Sequence, residues 1–301
     1  MRNRGITLQH RYGNTSRLDD LQHAISAFDE AIGLSTDGPT RAKTRSLLSS
    51  GLLRRFEHLG NTDDLDRGIL QGRQALEGLA ADDGGRPAVQ ANLGVLLRPR
   101  NERVGAPDDL HKAIQLISDA VESMDAHHPD RSTTLANLGN ALLDRSVLLS
   151  SARDLDDGIA LLRQAVDVAA PASRDRFRSL GQLGSALHRR FLHVRETHDI
   201  NEAVEILQTV AKTLPDTRIE RRSTLNALGV ALLARSSVTD DLEDVERAHH
   251  HLTESLRLSP LGSPDHSSAA LQSPFGRPRL RSGSGGRRGP SRIAGAGLQP
   301  A

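Results

Sequence analysis

Arginine recurs at Arg11, Arg55, Arg100, Arg145, Arg190 and Arg235, and an aspartate follows nine residues after each, at Asp20, Asp64, Asp109, Asp154, Asp199 and Asp244. A guanidinium is a planar fork of donors that matches a carboxylate through two parallel hydrogen bonds. This pattern has two readings. The arginines can form a basic ladder for an acidic or phosphorylated ligand. Alternatively, each ties the end of one helix to the aspartate that caps the next, or to a neighbouring unit. Bidentate geometry favours the tie, so Arg55, Arg100, Arg145, Arg190 and Arg235 are assigned structural roles with Asp64, Asp109, Asp154, Asp199 and Asp244.

Other reactive groups offer less. Consecutive side chains of His249-His250-His251 point about 100° apart on a helix, and no Asp, Glu or His at i, i+4 is expected to complete a metal site. His127-His128 stands beside Pro129 and reads as a loop, while the Gly-rich SGSGGRRG lacks the arrangement of a phosphate loop. The 301 residues contain no Cys, which excludes disulfides, thiolate metal sites and a cysteine nucleophile. No catalytic residue, cofactor or metal is therefore assigned. The net charge of +1 divides unevenly, with six Arg against Asp265 in residues 261–301 and a mildly acidic remainder. Phe275 is the single aromatic residue available there for base stacking, so nucleic acid is not an expected partner.

The elements that carry these residues follow from a repeat. Asp20-Leu21, Asp64-Leu65, Asp109-Leu110, Asp154-Leu155, Asp199-Ile200 and Asp244-Val245 are spaced by 44, 45, 45, 45 and 45 residues. Sixteen residues before each aliphatic position stands a small residue (Gly5, Ser49, Gly94, Gly139, Gly184, Gly229), followed three later by Leu in every unit. Leu135, Leu138 and Leu142 mark one helix, and Leu155, Ile159, Leu162 and Val166 the amphipathic stripe of a second. Asp154 suits an N-cap, and Asp199 with Glu202 forms a D-x-x-E capping pattern. No segment alternates with period two. A helix pair cannot bury its apolar face alone, so the units must stack. The expected fold is all-α, a right-handed α-solenoid of antiparallel helix pairs, with six repeats over residues 1–260 and the first incomplete. Residues 261–301 are expected to form a disordered Gly/Ser/Pro/Arg-rich tail, with SPDHSSAAL at 263–271 as an eroded seventh repeat. The chain reads as truncated at both ends, and its open solenoid ends suggest self-association.

Leu138, Gly139 and Leu142 in the first helix, with Gly158, Leu162 and Ala165 in the second and Pro171 closing the unit, resemble the tetratricopeptide-repeat signature. The "LGNALLDR…DLDDGIALLRQAV" phrasing is similar to repeat arrays of actinobacterial proteins that end in a CHAT domain, a caspase-like protease module. With no Cys here, no protease activity carries over. The resemblance implies a non-catalytic scaffold that binds a protein or peptide in its concave groove, or alternatively the sensor arm of such a protease. It places the first helix's opposite face in that groove: Thr133, Ala136, Asn140, Leu143, Asp144, Arg178, Ser185, His188, Arg189, Ser223, Asn226, Val230 and Leu233. Of these, Asn140, Asp144, Ser185, His188, Arg189 and Asn226 are the candidate binding residues. They vary between units, as a groove fitted to one partner would and as mere exposure would. Three irregularities stand out. Pro99 should kink or end its helix, at about 3 kcal/mol; Gly72 should leave the second unit under-packed; and His249 replaces an aliphatic residue. With no secretory h-region and no apolar run of about 20 residues, a cytoplasmic location is expected.

Overall fold

The structure, a computed structural model, describes residues 1–15, 17–104, 107–215 and 219–258. The tail at 261–301 and its seventh-repeat pattern lie outside the described residues. The first three pairs of helices are α1 (Arg2–Thr15) with α2 (Leu18–Leu34), α3 (Gly38–Leu59) with α4 (Thr62–Glu77), and α5 (Arg86–Val104) with α6 (Pro107–Ser123). The next three are α7 (Arg131–Leu149) with α8 (Ala152–Val168), α9 (Arg174–Val194) with α10 (Thr197–Thr213), and α11 (Ile219–Thr239) with α12 (Leu242–Arg257). Each odd helix packs on the even helix that follows, and each even helix packs on the next odd one. The result is a right-handed all-α solenoid, with no strand among the described residues. None of the helices is long and apolar enough to cross a membrane.

Within a pair, the helices cross where one of them has almost no side chain. A Cβ added at Gly139 would lie 2.9 Å from the Gly158 carbonyl oxygen, and one at Gly158 would lie 2.9 Å from the Gly139 carbonyl oxygen. At Gly5, Gly94, Gly184 and Gly229 an added Cβ would come within 2.5 to 2.6 Å of Phe28, Ile117, Leu207 and Leu252. A small residue on the odd helix thus receives a large residue from the even one. The second unit moderates both partners. Gly72 stands at the large position and Ser49 at the small one, with the Ser49 hydroxyl donating to the Gly68 carbonyl at 2.7 Å. A Cβ at Gly72 would meet Leu93 at 3.1 Å and the Ser49 oxygen at 3.3 Å. The under-packing expected from Gly72 is therefore absent, because its neighbours fill the site.

Pro99 does not end α5, which continues to Val104. His249 is exposed, on a face of α12 that no later described helix covers, although the corresponding Ile25, Ile69, Ile159 and Val204 are buried.

The tight crossing makes a directional prediction. Gly139→Ala should cost about 1–3 kcal/mol, since the obstructing atom is backbone and cannot rotate away. Gly33→Ala, in the last turn of α2 with nothing within 4 Å of its added Cβ, should stabilise by about 0.4–1 kcal/mol. Thermal or urea unfolding of the two variants checks both signs.

Candidate functional site

Arginines hold every even helix at its start and α2, α4, α6, α8 and α10 at the far end as well. Arg145 donates from Nε and Nη2 to Asp154 at 2.8 and 2.7 Å, and Arg190 does so to Asp199 at 2.8 and 2.6 Å. Arg235 reaches Asp244 at 2.6 and 2.8 Å. Arg11–Asp20 and Arg55–Asp64 repeat the arrangement. In the unit containing Pro99, Arg100 makes a single bond of 3.1 Å to Asp109, and its Nε lies 3.5 Å from Asp66. All six aspartates are buried, a costly state for a carboxylate unless it is paired. The Arg145 hydrogen bond holds the Asp154 carboxyl below its ordinary range, and Arg11 does the same for Asp20.

These aspartates are not the N-caps. Ser151 caps α8, its hydroxyl accepting from the Asp154 N–H at 3.2 Å, while Asn61 caps α4 and Asp241 caps α12. The aspartate is the third helical residue, where its charge still meets the positive end of the helix dipole. Nor do Asp199 and Glu202 form a capping box. Asp199 lies inside the first turn, and Glu202 takes both Nη groups of Arg163 at 2.6 and 2.7 Å.

The opposite ends of the even helices are held by a second arginine series, Arg41, Arg86, Arg131, Arg176 and Arg221, which sequence reasoning missed. Arg86 donates to the Leu76 and Leu79 carbonyls at 3.1 and 3.0 Å, and Arg131 to those of Val121 and Met124 at 2.8 and 2.7 Å. Arg176 reaches Val166, Arg221 reaches Ala211 and Leu214, and Arg41 reaches Ser35. A helix leaves its last carbonyls without internal partners, and here the next unit supplies the donor. The signal was present as Arg at a strict 45-residue spacing.

With the even helices on the outside, the odd helices line a concave lumen of about 800 Å³. Arg174 at the start of α9 donates to the Gly13 carbonyl near the end of α1 at 3.3 Å, bringing the first unit opposite the fifth. Tyr12, Arg54, Glu57, Asn92, Asn137, Arg178 and Gln182 face this space, together with Asn140, Asp144, Ser185 and Arg189. The other two candidate residues do not line it. His188 is half-buried, and burial followed by Arg189 pushes its imidazole below the ordinary range. The Asn226 Oδ1 is enclosed without a hydrogen-bond partner. Ala136 is buried in the core rather than presented to the groove, whereas Leu143, though largely buried, forms part of its wall.

Much of the lumen's charge is already committed to ties between adjacent odd helices. Arg98 pairs with Asp144 at 2.7 Å, Arg174 with Glu220, and Arg189 donates to the Leu143 carbonyl at 3.0 Å. Glu57 remains solvent-accessible but is surrounded by protein, and the loss of bulk water raises its carboxyl against the opposing pull of Arg54, Arg178 and Arg98. Burial likewise lowers the Arg54 guanidinium. The amide oxygen of Gln182 is enclosed and has no partner.

On α12, His250, His251 and Glu254 each bring one ligand atom within 4.8 Å of the others. The expectation that no Asp, Glu or His stands at i, i+4 overlooked Glu254. Glu254 follows His251 by three residues and His250 by four, so it neighbours both on the helix surface.

No protein-family model matches the chain, and no curated protein matches it. Among solved structures, it is similar to the putative kinesin light chain with nearly identical TPR-like repeats from Podosopora anserina. That likeness has 18% identity over 73% of this chain and 98% of the other, with a TM-score of 0.51. It is also similar to BtubC (BKLC) from P. vanneervenii, at 14% identity over 93% of this chain and 99% of that one, with a TM-score of 0.52. The chain has the tetratricopeptide-repeat fold. In this tetratricopeptide-repeat array each unit is about 45 residues long, and the lumen side belongs to the first helix of every pair.

Two measurements test the electrostatics of the array. A double-mutant cycle on Arg145→Ala and Asp154→Ala should return a coupling of about 1–3 kcal/mol, since removing either partner leaves the other partly buried. For Glu57, the folded state favours the neutral acid. That contribution is present below the unfolded pKa of about 4.3 and is lost as pH rises through the raised folded value. Glu57→Gln stays neutral, so its melting temperature should exceed wild type at pH 7–8, with the difference closing below about pH 4.

Proposed function

We propose that the chain is a non-catalytic scaffold that holds an extended segment of a protein partner in its lumen. The observation that carries this reading is the lumen's composition. Its charged residues are largely tied to one another, while Asn137, Asn140 and Gln182 present primary amides beside them. An amide both donates and accepts, so it can pair with the N–H and C=O of a peptide main chain whatever the peptide's side chains. Arg54, Arg178 and Glu57 then set which charged side chains are accepted nearby.

A second reading, in which the array is the sensor arm of a caspase-like protease encoded separately, is favoured by the phrasing of residues 138–145 and 154–166, which resembles CHAT-associated arrays. The two readings differ in the partner's identity, since the second requires a partner with a His–Cys protease module.

The test begins with capture of the partner by the full chain and its identification. Binding is then compared with a variant combining Asn137→Ala, Asn140→Ala and Gln182→Ala. These changes spare Asp144 and Arg189, whose ties help hold the odd helices together. Affinity should fall at least about tenfold while helical content and melting temperature are kept. Unchanged affinity in a folded variant would place the binding surface elsewhere.

A further inference from the structure

Position 251 is out of keeping with the repeat. The third, fourth and fifth units place Leu116, Leu161 and Ile206 there, each packed against a hydrophobic cluster, while the second carries Gln71 and the first Ala27. In α12 the residue is His251, whose Nδ1 is enclosed and has no hydrogen-bond partner. A buried nitrogen left unpaired destabilises a fold that an aliphatic side chain would satisfy. Packing therefore does not account for this histidine. The two neighbouring side chains suggest what does.

His250 is exposed beside it, with the two rings meeting edge to face at 5.4 Å. One turn further on, the Glu254 carboxylate lies near both. Arg221 of α11 holds one of its oxygens at 3.4 Å, and the other lies 3.9 Å from His250 Nε2. One ligand atom from each of the three side chains falls within a common span of 4.8 Å. Burial, then His250, lowers the His251 imidazole.

We propose that His250, His251 and Glu254 bind one divalent transition-metal ion of the zinc class. Two imidazole nitrogens and one carboxylate oxygen suit zinc, nickel or copper rather than calcium or magnesium, which take oxygen ligands. Three protein ligands leave a fourth position for water or for a group from another molecule. Ligand atoms around tetrahedral zinc, each about 2.0–2.1 Å from the ion, lie about 3.3 Å apart. Closing the site from 4.8 Å therefore needs rotation of the exposed His250 and of Glu254. The Arg221 contact restrains the carboxylate from its far side, the kind of outer support that orients metal ligands. The positive charges of Arg221 and Arg247 oppose a cation, so a moderate affinity is expected.

The test is calorimetric titration of the full chain with Zn²⁺ in a non-chelating buffer. His251→Leu restores the residue type of the third to fifth units and so retains the fold. The account expects saturable binding of one equivalent by the wild-type chain. It expects affinity at least about tenfold weaker in His251→Leu and in Glu254→Gln, and unchanged in His127→Ala. Absence of saturable binding by the wild-type chain would overturn the proposal. So would wild-type affinity in His251→Leu, which would assign the binding to surface histidines, or in Glu254→Gln, which would remove the carboxylate from the site.

Discussion

The array depends on how the outer helices are held at their ends. Each even-numbered helix begins with a buried aspartate and finishes with carbonyls that have no donor in their own helix. Guanidinium groups from odd-numbered helices meet the first problem in all six even helices and the second in α2, α4, α6, α8 and α10. One comes from the same unit, across the hairpin, and the other from the next unit, across the stack. The first fixes the geometry of the pair and the second fixes how successive pairs stack. Lysine can serve neither role in the same way, because a point charge cannot span two acceptors as a planar fork does. The scarcity of Lys, 3 residues among 39 basic ones, therefore matches a structural demand as well as any bias in coding composition.

Close packing then determines which side of each odd helix is left over. The side bearing Gly139, Gly184 or Gly229 lies against the even helix and takes its large residue. The flank bearing Leu138, Leu183 and Leu228 is buried within the stack. What remains turns inward, and stacking six such pairs gathers the remaining faces into one lumen. Ties such as Arg98–Asp144 and Arg174–Glu220 fasten adjacent odd helices along it. The same charges thus serve the stack, and the amides of Asn137, Asn140 and Gln182 stand between them.

Much of the fold was legible because its causes repeat. The 45-residue period, the two amphipathic stripes and the small residue opposite a large one each appear several times. Exceptions were harder to read, because they are compensated by a residue elsewhere. Gly72 looks like a defect until Ser49 and Leu93 are seen against it. The arginine series at Arg41, Arg86, Arg131, Arg176 and Arg221 is as regular as the other, yet its partners are main-chain carbonyls, which leave no mark in a sequence. The aspartates were placed at the cap because a cap and a third helical residue differ by one turn of chain. Within the lumen, Asn140, Asp144, Ser185 and Arg189 follow from the helical period. Arg54 holds the same place in its unit as Asp144 and Arg189 and follows likewise, but Tyr12 and Glu57 do not, because they enter through superhelical curvature that brings α1 opposite α9, and no single unit encodes that.

The central claim is that the odd-numbered helices form the ligand-bearing surface of this array. Amide hydrogen exchange on the full chain, with and without its captured partner, tests it most directly. The account predicts slowed exchange centred on 53–57, 92–98, 137–144 and 178–189, on the lumen side of α3, α5, α7 and α9. Protection confined to the outer helices α4, α8 and α10, with the lumen helices unchanged, would contradict it.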